Sequence, residues 1–587
     1  MSDKLVNLAQ LCERACDRFS DRPLFGTKDG DSWSWITYAE FHEQVAEVRG
    51  GLAALGVEPG DKVAVIADNR IEWAATAYAT YGRRATCVPM YQAQKPDEWR
   101  FILDDCGAKA VFVATPEIHE KLTAMKQHLP ALEHVIGFDL EESNDASYLS
   151  LCRKGRSAPV QVLQAEAGEL AGYIYTSGTT GNPKGVMLSH QNICSNVEAV
   201  EQVFPLAKED RSLSFLPWAH AFGQTCELHV LVNTGASLAL NDAIPNLIGN
   251  LAEVKPTILY AVPRIFNKLY DKVMGQIREK PAAIQKLVAR GLRAANAKKE
   301  GKSAGILDRA ALSLAEGLVF KKVRERFGGR LKYAISGSAA LSVEVARFID
   351  ALDITVYEGY GLSETSPIAT ANYPGARKMG SVGKAIPGVR IEIDTSATGD
   401  EKLGEIIIHG PNVMQGYHNR PEEQAKVFTS DGGLRSGDTG YIDDEGFLYI
   451  RGRIKEQYKL ENGKYVMPAP LEEMLKLSPY VAHVMLDGSN RPYNIAVVVP
   501  EAEALGKWAK EKGVDVGKPS DSAEVKELLE QELKSYSGKF KGYEKPRGFI
   551  VVDEEFTTDN GMLTPTMKLK RAKVLEKYQS QIDALYS

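Results

Sequence analysis

Apolar runs alternate with helix-like segments along the first part of the chain. Apolar residues recur at helical spacing near the amino terminus and again over about 38–55. Residues 62–67 have the pattern of a buried strand, 73–81 that of a helix, and 85–89 and 110–114 those of two further strands. Because strands and helices alternate, the pattern predicts an α/β fold with a parallel sheet and helices on both faces.

The pattern changes after about residue 380. Short strand-like runs separated by turns over about 380–450 predict a small barrel or distorted sheet. Further on, Asn462-Gly463 lies between two strand-like runs, which is a strong hairpin signal. A helix, a strand and two charged helices follow. The sequence therefore predicts a large domain over 1–453 and a separate, smaller α+β domain over 454–587.

A loop rich in glycine and hydroxyl residues joins two apolar runs, 172–175 and 185–188. Backbone N–H groups, hydroxyls and one lysine suit an anion, and glycines let a phosphate approach the backbone. The loop leads into a strand and lacks Walker spacing, which disfavours an ordinary kinase or GTPase. A plain polar hairpin is the alternative. The candidate anion-binding residues are Thr176, Ser177, Gly178, Thr179, Thr180, Gly181 and Lys184.

Composition narrows the classes of function. The 587 residues suffice for two to four structural units, and a net charge of −6 gives no reason to expect nucleic acid as a partner. Seven scattered cysteines without a CxxC pair indicate reduced thiols rather than a disulfide framework or zinc site. No apolar stretch is long enough to span a bilayer, and the start lacks a signal core. The expectation is a cytoplasmic protein, with peripheral contact to the inner face of a membrane as an open alternative.

Six motifs, in order along nearly the whole chain, resemble those of the adenylate-forming (AMP-binding) superfamily. They lie at 176–185, 216–222, 337–340, 357–365, 436–438 with 452–453, and 563–568. Within that superfamily, residues 262–266 and 560–570 most resemble long-chain fatty acyl-CoA synthetases. The resemblance implies a large amino-terminal domain, a mobile carboxy-terminal lid, and an AMP-forming ligase that uses ATP, Mg²⁺ and CoA to activate a fatty acid.

Adenylation brings a carboxylate to the α-phosphate of ATP, so the site needs positive charge more than a nucleophile. The resemblance implies that Lys184 binds the β- and γ-phosphates. It also implies that Glu364, with Thr176, binds Mg²⁺, because a carboxylate beside phosphates is repelled unless a cation intervenes. The alternative is that Glu364 is an ordinary solvated surface carboxylate that binds no metal.

The resemblance implies further nucleotide contacts. Tyr360 would stack on adenine, although a bare aromatic is more often a core residue. Asp438 accepts hydrogen bonds and Arg453 donates them, which suits ribose hydroxyls. The other residues expected around the nucleotide are Gly337, Ser338, Ala339, Glu358, Gly359 and Gly361.

The catalytic candidates implied by the resemblance are Lys568, Glu364, Thr365 and His220. Lys568 would bridge the α-phosphate and the carboxylate when the lid closes, with some ambiguity between it and Lys570. His220 would position substrate, against the alternative of a satisfied core histidine. Trp218 would either gate the acyl channel or lie in the core.

For the second half-reaction, the resemblance implies a lid hinge at Lys455 and a CoA-facing loop that contains Gly463. The chain departs from many relatives at the hinge, where Asp is common, and at Pro470, where Glu is common. The CoA contacts are therefore less well defined than the ATP contacts.

Several readings stay open on the sequence alone. A basic segment over 272–332 is either a solvated helix surface or a docking surface for an anionic membrane. The acyl acceptor is CoA or, alternatively, a carrier protein. A luciferase-like oxygenase and a catalytically silent lipid- or nucleotide-binding protein are further alternatives. Acyl chain length and oligomeric state do not follow from the sequence.

Overall fold

A computed structural model describes residues 4–176, 183–303, 305–397, 401–564 and 567–587. The chain divides into two compact units. The larger unit comprises the chain up to Pro263 together with Ile277–Ile391 and Ile407–Arg435. The smaller unit comprises Arg264–Gln276, Glu392–Ile406 and Ser436–Ser587. The division at 453 and 454 that the sequence suggests stays a prediction.

Helices occur throughout both units. The α-helices are α1 Leu8–Arg18, α2 Tyr38–Ala54, α3 Ile71–Tyr81, α4 Pro96–Cys106, α5 Pro116–Met125, α6 Tyr148–Ser157, α7 His190–Val203, α8 Val230–Thr234, α9 Leu247–Val254, α10 Pro263–Arg278, α11 Ala282–Lys299, α12 Ile306–Ala315, α13 Lys321–Arg326, α14 Val343–Ala351, α15 Pro421–Val427, α16 Pro468–Leu475, α17 Ala502–Lys512, α18 Ala523–Tyr536 and α19 Arg571–Ala584. Two π-helical segments cover Phe222–His229 and Glu316–Phe320. Short 3₁₀ turns cover Lys126–His128, Ile244–Asn246, Ser363–Thr365, Thr395–Ala397 and Ile454–Glu456.

Strands also occur in both units. They are β1 Pro23–Asp29, β2 Ser32–Thr37, β3 Lys62–Ile66, β4 Thr86–Met90, β5 Ala110–Val113, β6 His134–Gly137, β7 Leu170–Thr176, β8 Lys184–Ser189, β9 Arg211–Ser214, β10 Ser237–Leu240, β11 Ile258–Ala261, β12 Tyr333–Ser336, β13 Thr355–Gly361, β14 Ile368–Ala371, β15 Lys384–Ala385, β16 Arg390–Asp394, β17 Gly404–His409, β18 Gly416–Tyr417, β19 Leu434–Ile442, β20 Leu448–Arg453, β21 Tyr458–Lys459, β22 Tyr465–Val466, β23 Val481–Asp487, β24 Asn494–Pro500 and β25 Pro546–Val551.

The predicted α/β architecture is confirmed. The predicted strands at 62–67, 85–89 and 110–114 are β3, β4 and β5, which pair in parallel. The predicted helix over 38–55 is α2, which begins at Tyr38 and is capped by Thr37. The Thr37 and Glu40 side chains there each accept a hydrogen bond from the other's backbone N–H.

The sheets of the larger unit are mixed rather than purely parallel. A seven-stranded sheet has the order β18-β8-β7-β4-β3-β5-β6, with an antiparallel edge formed by β7, β8 and β18. A five-stranded sheet has the order β11-β12-β13-β14-β15, in which β11, β12 and β13 are parallel. A four-stranded sheet has the order β2-β1-β10-β9. Because parallel strands end at one edge, the segments that follow β12 and β13 lie side by side.

Trp218 belongs to the core of the larger unit. Its side chain is fully buried, and its ring packs against those of Phe25 and Trp73 at centroid distances of 5.9 and 5.6 Å. The structure therefore places Trp218 in the core, one of the two positions that the sequence allows. All seven cysteines are buried with free thiols.

The smaller unit is an α+β structure. Its three-stranded sheet, β23-β24-β25, buries alternate side chains on opposite faces, as the period of a strand requires. Val484 and Val498 pack on the side of α16, α17 and α18, whereas Met485 and Val497 pack on the side of α19. The predicted sheet region after residue 380 contains the order β16-β17-β19-β20.

Candidate active site

The anion loop begins and ends on the antiparallel pair β7 and β8. Thr176 lies opposite Lys184 in the register of the two strands. The predicted strand-to-strand connection is therefore confirmed at both ends. The predictions for Ser177, Gly178, Thr179, Thr180 and Gly181 fall outside the described residues. Thr176 is half-buried at the end of its strand.

Lys184 has an acidic and an aromatic neighbour. Its ammonium forms an ion pair with the carboxylate of Glu423, at the start of α15. The Lys184 Nζ atom also lies 5.4 Å from the centroid of the Tyr417 ring, within the range of a cation–π contact. The Lys184 side chain is 22% exposed and that of Glu423 is 40% exposed, so an incoming anion can reach this pair from solvent.

Tyr417 connects Lys184 with the predicted metal-binding carboxylate. Strand β18 places Tyr417 opposite Val186 of β8. From there, its hydroxyl donates a hydrogen bond to Oε1 of Glu364 over 2.7 Å. Burial, and secondly the negative charge of Glu364, raise the pKa of Tyr417 well above its usual value. Tyr417 therefore remains a hydrogen-bond donor at neutral pH.

The turn that carries Glu364 is anchored from both sides. The Glu364 carbonyl accepts a hydrogen bond from Met414 N over 2.9 Å, and the Thr365 carbonyl accepts one from Asn412 Nδ2 over 3.2 Å. The buried Thr365 hydroxyl accepts from Leu362 N over 2.9 Å. Thr365 thus stabilises the turn, while its predicted catalytic role stays a prediction.

The residues expected around adenine lie on neighbouring parallel strands. Ser336 of β12 is in register with Glu358 of β13, so Gly337, Ser338 and Ala339 follow β12 beside β13. Ser338 and Ala339 are exposed, and Ser338 has a φ of 69°. This edge therefore presents two exposed residues beside β13.

The four β13 residues in this group differ in their surroundings. Tyr360 is 9% exposed. Glu358 is buried, and burial raises its pKa to about 7. A Cβ at Gly361 would lie 1.7 Å from the Pro367 carbonyl oxygen, whereas one at Gly359 would lie 3.4 Å from that of Thr370. Close packing therefore requires glycine at position 361, whereas position 359 has room for a Cβ.

His220 lies near this strand edge. Its Nδ1 accepts a hydrogen bond from Phe222 N over 3.2 Å, which fixes the ring at the start of the π-helical segment Phe222–His229. A Cβ at Gly337 would lie 3.3 Å from the Phe222 ring. The segment with His220 therefore packs beside the residue that follows β12. His220 is partly exposed rather than a core residue.

In the smaller unit, Asp438 and Arg453 form an ion pair. They are opposite each other on β19 and β20, and Arg453 Nε lies 3.0 Å from Asp438 Oδ1. The Asp438 side chain is 6% exposed and that of Arg453 is 44% exposed. The two residues expected to contact ribose are therefore brought together by strand pairing.

Gly463 and Lys568 occupy turns of the smaller unit. Gly463 has a φ of 82° in the β21–β22 hairpin, which confirms the predicted turn. Lys568 is exposed, and its backbone N and O both bond to Thr564, at 3.0 and 2.8 Å. Lys570 is half-buried at the start of α19. Of these two lysines, Lys568 has the more accessible side chain.

Sequence reasoning missed Tyr417 and Glu423. Tyr417 is 53 residues from Glu364, and Glu423 is 239 residues from Lys184. Neither residue belongs to a motif that marks the anion loop. The pairing of β18 with β8 brings Tyr417 to the site, and Glu423 follows on α15.

The residues around Glu364 are suited to Mg²⁺. The cation prefers carboxylate, hydroxyl and water oxygens. Glu364 is partly exposed, and Tyr417 restrains one of its oxygens. A partly exposed carboxylate with one restrained oxygen can bind a cation that keeps several waters.

Comparison with known proteins gives consistent matches over both units. The AMP-binding enzyme family matches residues 12–418, and the AMP-binding enzyme C-terminal domain matches residues 455–587. A long-chain-fatty-acid–CoA ligase, FadD15 of Mycobacterium bovis, is 32% identical over 94% of this chain and 93% of that protein. Long-chain-fatty-acid–CoA ligase 1 of Homo sapiens is 30% identical over 100% of this chain and 87% of that protein.

Solved structures share the fold. The adenylation domain of a carboxylate reductase from Mycobacterium chelonae has a TM-score of 0.82 at 24% identity, covering 100% of this chain and 92% of that chain. The anthranilate CoA ligase AuaEII, in complex with anthranoyl-AMP, has a TM-score of 0.72 at 21% identity, covering 97% of each chain. At such identities the likeness shows the fold alone.

Proposed function

The chain belongs to the AMP-binding enzyme family, and on that premise we propose that it is an AMP-forming fatty acid–CoA ligase. It activates a fatty acid with ATP to an acyl-adenylate and transfers the acyl group to CoA. The observation that carries this assignment is identity of about 30%, over nearly the full length, to proteins named long-chain-fatty-acid–CoA ligases. A medium- to long-chain acid is the favoured substrate.

In the first half-reaction, a carboxylate oxygen of the acid attacks the α-phosphorus of ATP. The bond to the bridging oxygen breaks, and pyrophosphate leaves. We assign Lys184 to the β- and γ-phosphates, and Glu364 with Thr176 to Mg²⁺. When bound, the cation neutralises phosphate charge and allows two anions to meet. Tyr417 supports both assignments, because it contacts Lys184 and Glu364 together.

The nucleotide assignments rest on position and chemistry. Tyr360 would stack on adenine beside the backbone of 337–339. Asp438 and Arg453 would bind the ribose hydroxyls, since one accepts and the other donates hydrogen bonds. Their existing ion pair supports this proposal because it orients both side chains before nucleotide binds.

In the second half-reaction, the CoA sulfur attacks the acyl carbonyl. The thiol proton is lost, a thioester forms, and AMP leaves with the electrons of the broken acyl–oxygen bond. We assign Lys568 to the first step only, Lys455 to the hinge, and the hairpin turn with Gly463 to CoA. The 3₁₀ turn Ile454–Glu456 directly follows β20, which supports a hinge between two regular elements.

A panel of carboxylic acids tests the function. Acetate, octanoate, palmitate and benzoate are each incubated with ATP, Mg²⁺ and CoA, and AMP release is measured. We expect the highest release with a fatty acid, together with acid-dependent pyrophosphate exchange in the absence of CoA. Absence of both signals with every acid would overturn the proposal.

The same panel separates the alternatives. Acid-dependent exchange without CoA-dependent AMP release would indicate another acceptor, such as a carrier protein. Oxygen uptake or light would indicate a luciferase-like oxygenase. Binding by titration calorimetry without turnover would indicate a silent binding protein.

No helix in the described part of the chain is both long and apolar enough to cross a membrane. Peripheral contact with a lipid surface, where fatty acids partition, is a further proposal.

A further inference from the structure

The helical hairpin formed by α11 and α12 exposes an unusual apolar face. Of the twelve large hydrophobic residues that are exposed in the described part of the chain, four lie between positions 306 and 318. They are Ile306, Leu307, Leu314 and Leu318, at 83%, 67%, 55% and 47% exposure. Single exposed apolar residues are ordinary, but a cluster of them marks a contact surface.

These residues share one side of the hairpin. Leu307, Leu314 and Leu318 are spaced by seven and four residues, which is the repeat of one helical face. Ala310 and Gly317, which lie between them along the chain, are also exposed. We call this surface, made of Ile306, Leu307, Ala310, Leu314 and Leu318, the outer face.

The opposite side of α12 is covered by α11. Ala311 and Ala315 are buried, and a Cβ at Gly291 of α11 would lie 2.6 Å from that of Ala315. The two helices therefore approach closely through small residues. Because α12 is held through this inner side, the outer face is presented to solvent by a packed helix rather than a loose segment.

Basic residues surround the outer face. Lys321 and Lys322 are exposed and follow Leu318 by three and four residues, so they extend its helical face by one turn. Residues 277–330 contain 14 lysines and arginines and five acidic residues, a net charge of +9 in a chain whose total is −6. The rest of the protein is therefore strongly acidic, and positive charge is concentrated here.

The acidic residues nearest the outer face are neutralised within the protein. Asp308 pairs with Arg290, whose Nε lies 2.5 Å from its Oδ1. Glu316 pairs with Arg324. These pairs cancel negative charge beside the leucines. Lys321 also pairs with Glu325, with its Nζ 3.9 Å from Oε1, but the two side chains are 68% and 60% exposed, so Lys321 can exchange this contact for a lipid phosphate.

We propose that the outer face docks on an anionic lipid bilayer, with its leucines entering the interface and Lys321 and Lys322 binding lipid phosphates. Exposed leucines bordered by lysines on one helix match the chemistry of an interfacial amphipathic helix. A protein surface would satisfy the apolar side chains equally well, but the excess positive charge favours an anionic partner. The benefit to a ligase rests on the proposed function, since bilayers hold the fatty acid.

Vesicle flotation tests the docking surface directly. The full chain is mixed with phosphatidylcholine vesicles, with or without phosphatidylglycerol, in the absence of ATP, CoA and fatty acid. We expect binding to the anionic vesicles that weakens as salt is raised. Because no substrate is present, the result does not depend on whether the chain is a ligase.

Two sets of variants locate the surface. Leu307→Gln, Leu314→Gln and Leu318→Gln together should reduce binding by roughly tenfold or more, because Gln keeps helix propensity and removes apolar surface. The matched control is Ile244→Gln with Ile248→Gln, at two other exposed apolar residues, and should bind normally. Lys321→Glu with Lys322→Glu should abolish the preference for phosphatidylglycerol, whereas Lys534→Glu, on α18, should not.

Folding and self-association are measured on the same samples. All variants should keep the wild-type Tm and the wild-type rate with a short, water-soluble acid. The proposal is overturned if the wild type does not float, if the leucine variant floats as well as the wild type, or if the control variant loses binding equally. It is also overturned if the leucine substitutions convert a dimer to a monomer in sedimentation while vesicle binding persists, which would identify a second copy as the occupant.

Discussion

The hydroxyl of Tyr417 donates a hydrogen bond to Oε1 of Glu364 over 2.7 Å, while the ring of the same tyrosine faces the ammonium of Lys184 at 5.4 Å. One side chain thereby sets the spacing between the proposed phosphate-binding lysine and the proposed metal-binding glutamate. Because Tyr417 is nearly buried, its position is set by packing and not by ligand. The two charged groups are thus oriented before nucleotide binds.

Removing only the hydroxyl of Tyr417 tests this role. Tyr417→Phe keeps the ring beside Lys184 but leaves Glu364 without its donor. A hydrogen bond to a charged group contributes about 1.5–3 kcal/mol, so with partial exposure of Glu364 we expect kcat/KM to fall about tenfold. The Mg²⁺ concentration for half-maximal rate should rise. Steady-state rates across a Mg²⁺ titration measure both effects.

Tyr441→Phe is the control, because the Tyr441 hydroxyl accepts a hydrogen bond from Arg451 and, in the described part of the chain, has no hydrogen bond to Glu364 or Lys184. An unchanged Mg²⁺ dependence in Tyr417→Phe would show that the tyrosine does not position Glu364.

The ion pair between Lys184 and Glu423 predicts competition with ATP. A phosphate that binds Lys184 must displace or compensate the Glu423 carboxylate. Glu423→Gln removes that negative charge and should lower the KM for ATP by about two- to fivefold, because partly exposed pairs contribute about 0.2–1 kcal/mol. Initial rates with varied ATP at two salt concentrations provide the measurement, and the difference should shrink in high salt.

The neighbouring Glu422→Gln supplies the matched control for total charge. A higher KM in Glu423→Gln than in Glu422→Gln would instead mean that Glu423 assists nucleotide binding.

Local features of the fold were predictable from sequence. Apolar runs identified β3, β4 and β5, and Asn462-Gly463 identified the β21–β22 turn, because each depends on neighbouring residues. The two ends of the anion loop were placed on strands for the same reason. Six ordered motifs also indicate the superfamily, and the family matches confirm it.

The long-range contacts were not predictable. Tyr417 meets Glu364 only because β18 pairs with β8, and strand pairing between distant segments leaves no periodic signal in one sequence. The mixed character of the seven-stranded sheet was missed for the same reason. The exposed leucines of α12 and of the π-helical segment after it also look like core residues until the packing of α11 shows which side is covered.

Two glycines of the Tyr360 strand should respond differently to alanine. At Gly361 the new Cβ would lie 1.7 Å from the Pro367 carbonyl oxygen, so the backbone must move. At Gly359 the closest approach, 3.4 Å to the Thr370 oxygen, is an ordinary contact. We expect Gly361→Ala to cost about 3 kcal/mol or more of the free energy of unfolding, and Gly359→Ala less than about 1 kcal/mol. Thermal unfolding without ligand compares the two, and equal Tm values would contradict the packing argument.

Lys568 should matter for adenylation and not for thioester formation. Lys568→Ala removes the ammonium proposed to bridge the α-phosphate and the carboxylate, so we expect acid-dependent pyrophosphate exchange to fall at least about a hundredfold. Conversion of supplied acyl-adenylate and CoA to thioester should stay within about threefold of wild type, since AMP already leaves readily. Lys570→Ala is the matched control and should keep both activities. Equal loss of the two steps in Lys568→Ala would remove the assignment.

The buried carboxyl of Glu227 predicts how stability changes with pH. It lies in the π-helical segment Phe222–His229 and accepts hydrogen bonds from Ser212 and Ser214, both at 2.6 Å. Burial raises its pKa from 4.5 to about 7, while the two serines act in the opposite direction. Between these two pH values the folded protein therefore keeps a proton that the unfolded chain releases. The resulting contribution of Glu227 to the free energy of unfolding is fully present below pH 4.5 and is lost as the pH rises through 7.

Glu227→Gln removes the ionisation and keeps the size of the side chain, and both serine hydroxyls can rotate to suit an amide. The free energy of unfolding of the variant, relative to that of the wild type, should therefore rise by about 1–3 kcal/mol between pH 5 and pH 8. Glu358, whose pKa is also raised to about 7, is present in both proteins and cancels in the difference. Calorimetric unfolding at a series of pH values provides the measurement, with the exposed Glu43→Gln as the control. A constant difference in unfolding free energy across this range would mean that Glu227 titrates alike in the folded and unfolded chains.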